Sequence, residues 1–334
     1  MKISILSAIG SVFLLVAAQC PAVEDNADKT ITKTFNVEPG GELNVEADQG
    51  DIDILTGDQS TVQVIVEREV IGGSAGQAEK LLKGHKVTFT QDGNIIHVEA
   101  KSLKPPRGHS HPNLEVHFRI TVPKRFSANL TTAGGNVKVT GLRGSVDART
   151  SGGNMVFSKI QGAVEANTSG GNVRAADCTD KLQIQSSGGN MVLKDFSGPS
   201  AAVDTSGGNI EVSGCTGMLE VKTSGGNISV DGFSGATAYA DTSGGAVSVS
   251  LDKQPSGNCT FRTSGGNIVV KVPENIAVNL TAGTDGGTVS SDLPVTVQGK
   301  IKEGSLEGKI NGGGPVMSLR TSGGDIKLLK RQGN

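Results

Sequence analysis

Tryptophan is absent from this 334-residue chain, and tyrosine occurs once, as Tyr239. A glycan platform of stacked aromatic faces has little to build from. Charge of one sign is also missing: 31 Lys and Arg against 33 Asp and Glu leave a net charge of −2. No basic stripe marks a nucleic-acid partner, and no acidic block marks a disordered tail. Apolar runs of the ~20 residues that span a bilayer are missing too. The apolar stretch Ile3–Ala18 follows Lys2 and ends in Val16-Ala17-Ala18, the layout of a secretory signal cleaved after Ala18. An exported protein is expected: periplasmic, outer-membrane-associated or at the cell surface. Cys20 lies just past that site, where a bacterial lipoprotein carries its acylated cysteine. Gln19 departs from the usual Gly or Ala, so lipidation at Cys20 competes with an incidental cysteine. A lipid there would be the chain's one membrane contact. Phosphate loops are missing as well, since neither G-x-G-x-x-G nor G-K-[ST] occurs.

Glycine is in excess, with 48 copies, about twice the usual share. Many lie in a five-letter unit. TSGGN occurs at Thr150–Asn154, Thr168–Asn172, Thr205–Asn209, Thr223–Asn227 and Thr263–Asn267, with near-copies starting at Thr132, Ser186, Thr242 and Thr321. The closing Asn falls at 136, 154, 172, 190, 209 and 227, in steps of 18 or 19 residues. The pattern then loosens to Ala246 and Asn267, and a last copy ends at Asp325.

Around that Asn, apolar residues recur at alternate places. Eight before it stand Val146, Val164, Leu182, Ala201 and Leu219; one after it stand Val137, Met155, Val173, Met191, Ile210 and Ile228. Asp147, Glu165, Gln183 and Glu220 occupy a polar column between. Period two marks half-buried strands. Each repeat is thus two short strands joined by an S-G-G corner. Six after the Asn comes another apolar column, Leu142, Ile160, Cys178, Phe196, Cys215 and Phe233, a second turn carrying an inward plug.

Hairpins could use this unit, because Gly-Gly suits primed turns. A β-solenoid uses it better, each strand pairing in parallel with its copy in the next coil. The period is too short for a propeller blade of ~40 residues. The outward column Asp204, Lys222, Asp241, Arg262 would set opposite charges above one another at a coil spacing of ~4.8 Å. The expectation is an all-β, single-stranded β-solenoid (a β-helix) with coils of about 18–19 residues. Its parts are a signal peptide at 1–18, an irregular β N-terminal cap region at 24–125 and regular repeats at 126–334. Gly76–Gly84 reads as a short helix inside the cap, and the charged tail from Lys327 as cover for the far end.

The glycine unit then reads as a structural corner: Gly152, Gly153 and Asn154; Gly170, Gly171 and Asn172; Gly207, Gly208 and Asn209; Gly225, Gly226 and Asn227. Gly-Gly would allow φ > 0, Ser and Thr hydroxyls would cap backbone groups, and Asn amides would stack, each donating to the next. A calcium β-roll needs G-G-x-G-x-D nonapeptides; with Asn in place of Asp and one such turn per coil, no metal or cofactor is expected. Asp147 and Glu165 in neighbouring coils match the spacing of a retaining glycosidase pair, but their column is a solvated face. His109, His111 and His117 share no metal pattern with a cysteine or carboxylate. No catalytic residue is assigned. Cys178 and Cys215 share one inward column two coils apart, about 9–10 Å, beyond the ~7 Å limit for a disulfide.

The opening "FNVEPGGELNV", the corner "QGDIDI", the strand "RITVPKRF" and the coils of "TSGGNI" type resemble, in that order, the bacterial putative-adhesin family, long classed as a domain of unknown function. The resemblance covers most of residues 30–330. It implies a right-handed β-solenoid in an exported protein, with an adhesive role and no accepted catalytic residues. The expected function is a non-catalytic interaction module at the cell envelope or surface, with a protein or glycan partner and with self-association open. The competing readings are a carbohydrate-active β-helix enzyme and a passive spacer. Recognition is expected on outward positions such as Asp147, Glu165, Arg174, Glu211 and Tyr239.

Overall fold

The computed structural model describes residues 22–23, 29–103, 112–298 and 304–331. The proposed signal segment, Cys20, His109 and His111 lie outside the described residues. Two long open sheets, one of 15 strands and one of 14, face each other across a continuous apolar core. Strands before each corner make the first sheet and strands after it make the second. Val146–Thr150 pairs in parallel with Val164–Thr168, with Val146 opposite Val164. Met155–Ser158 pairs in parallel with Val173–Ala176, with Met155 opposite Val173. One turn of chain thus gives one strand to each sheet, which is a β-solenoid coil.

Alternation explains the core. In Val146–Thr150 the residues alternate between buried and partly exposed, and Val164–Thr168 and Leu182–Ser186 repeat the pattern. Inward Val, Leu, Ile and Ala from both sheets meet in the middle. The plug column Leu142, Ile160, Cys178, Phe196, Cys215 and Phe233 fills the core at the second turn, every member at most 1% exposed. Such residues each contribute ~1.5–3 kcal/mol of burial before entropy is subtracted.

The corner works differently from the expectation. None of the TSGGN glycines has φ in the left-handed range. The second glycine is required by crowding instead. A Cβ on Gly153 would overlap the carbonyl oxygen of Gly135, and Gly171, Gly189, Gly208 and Gly226 repeat the clash with the coil before. A Cβ on the first glycine, Gly152 or Gly170, meets nothing. A buried Thr, or Ser186 in one unit, opens the units from Thr150 onward with two bonds. Thr150 Oγ1 donates to Gly135 O at 2.9 Å and accepts from Gly153 N–H at 3.3 Å, and the same pair recurs from Thr168 to Thr321. The Asn column is chiefly a ladder of side-chain oxygen to backbone. Asn154 N–H donates to Asn136 Oδ1 at 2.9 Å, Asn172 N–H to Asn154 Oδ1 at 2.9 Å, and Asn209 N–H to Asn190 Oδ1 at 2.8 Å. Within this column, among the described residues, amide-to-amide bonds join only Asn136, Asn154 and Asn172, at 3.2–3.3 Å. A backbone donor has one fixed direction per coil, so the carbonyl half of each amide turns toward it. Positive φ appears instead at the second turn, at Gly141, Lys159, Asp177, Asp195, Gly214 and Gly232.

The order of coils in space departs from their order in sequence at both ends. The coil built from Gly41–Ala47 and Asp51–Gly57 lies between the Ile95–Ser102/Asn113–Pro123 coil and the Phe126–Thr132/Val137–Thr140 coil. At the other end, Val316–Thr321 and Ile326–Lys330 slot between the Cys259–Thr263/Ile268–Val272 coil and the Val278–Thr284/Val289–Ser291 coil. The charged tail strand therefore lies one coil inside the end, not over it. Antiparallel strands close the stack. Thr61–Ile71 and then Thr30–Asn36 extend one sheet, and His85–Asp92 extends the other. At the far end Ser305–Ile310 pairs antiparallel with Val278–Thr284. The helix is Ala75–Gly84, started by a Ser74–Gln77 capping box.

Candidate functional site

Four surfaces result from this geometry: two broad sheet faces and two turn edges. At the corner edge, Ser151, Ser169, Ser187 and Ser206 are exposed, each beside the exposed first glycine. Asn136, Asn154 and Asn172 run parallel to them, also exposed. The edge is therefore a low strip of hydroxyls and amides with almost no relief. A shallow groove runs beside it on the first sheet, between the serines and Arg149, Asn167, Gln185 and Asp204. Thr and Asn oxygens of the corner are engaged with the chain itself, which makes Gly152 to Asn154 and their copies structural first.

The variable outward residues carry the chemistry. Asp147 stands directly opposite Glu165. Arg149 joins both, 2.9 Å from the Asp147 carboxylate and 3.6 Å from that of Glu165. One guanidinium thus pairs with both carboxylates, so the two acids are joined through Arg149 in an ion-paired cluster on the sheet face. Arg174 and Glu211 project from the other sheet, on Val173–Ala176 and Ile210–Cys215. The five recognition candidates therefore divide between opposite faces and cannot meet in one site.

Charges stack in register as the columns imply. Asp204 lies opposite Lys222, Lys222 opposite Asp241, and Asp241 opposite Arg262. Tyr239 sits in the middle of this run. Its hydroxyl donates to Asp241 at 2.7 Å, and the Lys222 ammonium lies 5.3 Å from its ring centroid, within cation–π range. The Asp241 bond raises the Tyr239 pKa, burial adding to it. The hydrogen bond to Glu220 raises that of Lys222. The alternation ends where the terminal coil is inserted: Arg262 faces Arg320, and Arg320 turns to Asp285 at 3.6 Å.

Cys178, Cys215 and Cys259 are free and buried, and burial pushes each thiol up to about 11. They are packing residues with little thiolate at neutral pH. His117 faces outward, 4.0 Å from Asp51. Among the described residues no His, Cys, Asp or Glu cluster of metal-binding geometry occurs, and no helix is long and apolar enough to cross a membrane. Sequence reasoning missed His85, which is 0% exposed next to Arg68, itself 2% exposed. Arg68 donates to the carbonyls of Leu82 and His85 at 3.2 and 3.0 Å. Neither His85 ring nitrogen has a hydrogen-bond partner among the described residues. Only its place at a strand start after a helix could have hinted at this.

The fold is similar to several solved structures. A putative adhesin from Bacteroides fragilis is 14% identical over 91% of this chain and 99% of its own, with a TM-score of 0.38. A putative adhesin from Parabacteroides distasonis is 16% identical over 91% of this chain and 98% of its own, at 0.33. A protein from the same species described as a putative lipid binding protein is 15% identical over 90% and 97%, at 0.40. Likeness at this level carries no argument about function. No curated protein matches the chain. The Toastrack DUF4097 family model matches residues 159–329, just over half the chain and the span that holds most of the regular coils, and on that match the chain belongs to the Toastrack DUF4097 family.

Proposed function

We propose that the chain is a non-catalytic interaction module of the cell envelope, exported by its N-terminal apolar segment, that binds a protein or glycan through an outward sheet face. The observation that supports this is the Arg149 bridge. It ties up Asp147 and Glu165, the closest approach to an acid pair in the sequence reading, as part of an ion-paired face. Faces of this kind bind by arrays of polar contacts repeated at the coil spacing of ~4.8 Å. Of the two faces, the one bearing Lys222, Tyr239, Asp241 and Arg262 is favoured. Its only tyrosine is held by a short hydrogen bond, which fixes its orientation in advance of any partner.

Binding of the purified chain to intact cells and to a glycan array tests this, with a parallel screen for glycoside turnover. Saturable binding that falls at least tenfold in Tyr239→Ala, with the thermal transition unchanged, is the expected result. Absence of saturable binding overturns the proposal, and turnover lost in Glu165→Gln would replace it with the enzyme reading. Protease shaving of intact cells separates a surface location from a periplasmic one.

A further inference from the structure

Four sheet edges end the stack, and they are unequally protected. On the sheet ending in Ser305–Ile310, Lys309 exchanges backbone bonds with Thr296 at 2.8 and 2.9 Å. The opposite edge of that sheet carries the short strand Ala22–Val23 against His85–Asp92. The second sheet ends on one side in Val289–Ser291, three residues long. Its other end is Thr30–Asn36, seven residues without proline, paired to Thr61–Ile71 with no register shift.

The register fixes which backbone groups of Thr30–Asn36 face outward. Arg68 N–H donates to Lys29 O at 2.7 Å, and Val37 N–H to Ser60 O at 3.1 Å. Odd-numbered residues therefore bond to Thr61–Ile71, and Thr30, Thr32, Thr34 and Asn36 turn their N–H and C=O groups away. Asn36 O accepts from Gln91 Nε2 at 2.8 Å. Thr30, Thr32 and Thr34 have no backbone partner on that side among the described residues. Their side chains are exposed as well. Edges of this kind are templates for another strand unless blocked.

We infer that Thr30–Asn36 is a dimerisation edge, pairing antiparallel with the same strand of a second copy about a two-fold axis at Thr32. The strand is self-complementary in that register. Thr32 meets Thr32, and Thr30 meets Thr34 of the second copy, which are favourable Thr–Thr cross-strand pairs. Ile31 meets Lys33 of the second copy, so no like charges oppose each other. A two-fold contact uses one patch twice and closes, which leaves neither copy of this edge free for further growth. The join would run the two second sheets into one continuous sheet. This inference is independent of which ligand the faces bind.

Sedimentation velocity on the full chain over a concentration series tests it, with Thr32→Pro as the variant. Proline removes the outward N–H and fits an edge strand, leaving the bonds to Thr61–Ile71 in place. The expected result is a dimer for the unaltered chain and a monomer for Thr32→Pro, with the same circular dichroism. Independently, Thr32→Cys is expected to form a disulfide-linked dimer under mild oxidation. Directly opposed Cα atoms in a bonded pair lie ~5.5 Å apart, within disulfide range. Thr30→Cys, opposed by Thr34, is expected to behave as the unaltered chain does. A chain that stays monomeric at every concentration, even if it accepts a foreign strand, overturns the inference. So does a dimer that persists in Thr32→Pro and is not trapped by Thr32→Cys. Should Thr32→Pro fail to fold, the two cysteine variants decide.

Discussion

Two glycines share each corner but meet different surroundings, and substitution separates them. Gly153→Ala places a methyl group against the Gly135 carbonyl, whereas Gly152→Ala points into open space. The first should cost about 1–3 kcal/mol as overpacking, and the second should stay within about 0.5 kcal/mol; urea melts of the two variants check this. The second turn offers the opposite kind of test. Lys159 has φ 57°, Asp177 55° and Asp195 50°, a region that costs most non-glycine residues about 1–2 kcal/mol but which Asp tolerates better. Lys159→Gly should therefore stabilise by about 0.5–1 kcal/mol net of the added freedom of the unfolded chain, and by more than Asp195→Gly does. His85 adds a dependence on pH. Burial, and then the neighbouring Arg68 charge, lower its pKa from 6.5 to about 4, with Asp48 acting weakly the other way. The folded chain keeps His85 neutral while the unfolded chain binds a proton below about pH 6.5. Stability is thus full above that pH and should fall by up to about 3 kcal/mol as pH drops to about 4. Melts across that window should show the slope in the native chain and a flatter one in His85→Phe.

The Asn ladder belongs to the element scale, because each rung joins two coils. It has one missing rung. Asn227 Oδ1 accepts from Ala246 N–H at 2.8 Å, but Ala246 has no oxygen to offer Asn267. Ala246→Asn should restore the rung and stabilise by about 0.5–1.5 kcal/mol, measurable as a higher urea midpoint with unchanged slope. Much of the coil was legible in the sequence for a simple reason: parallel in-register stacking puts each column of the alignment above itself, so periodicity and contact coincide. Cys178, Phe196 and Cys215 could be placed in one buried column on that ground alone. The ground fails where neighbours in space are not neighbours in the repeat. The Thr284–Thr288 corner (TDGGT) escaped notice because Asp285 replaces the serine and its partner coil ends at Asp325, upstream in space but downstream in the chain. The role assigned to the glycines also missed, since the spacing of backbones between coils leaves no trace in a single repeat. The recognition candidates on Asp147 and Arg174 alternate correctly in and out, but alternation does not say which of two sheets a residue faces from.

At the scale of the molecule, the stack differs from an open array of repeats. In such an array the end coil has one neighbour and frays first. Here the last coil in sequence, Val316–Lys330, is held on both faces, and so is the first, Gly41–Gly57. Val278–Thr284 rests on Val316–Thr321 and on the strand Ser305–Ile310. Asn279 N–H donates to Pro315 O at 3.0 Å, so the odd-numbered amides of this strand point to the inserted coil. Truncation after Gly314 should therefore release amide protons at Thr281 and Gly283 to near-unfolded exchange rates, while Val221 and Val230 stay protected. Equal protection at Thr281 before and after truncation would show that the inserted coil holds nothing in place.

The interleaved ends also bear on how the chain reaches this state during synthesis. Most repeat arrays can add each unit to the face left by the one before as it emerges. In this member of the Toastrack family, Asp325 must find Asn267, 58 residues back, and enter beside a coil made earlier. Contacts of that separation form slowly. The strands Val316–Thr321 and Ile326–Lys330 act as a wedge, and until they have been made the Val278–Ser291 segment has no seat, so assembly of this end waits for a stretch synthesised after it.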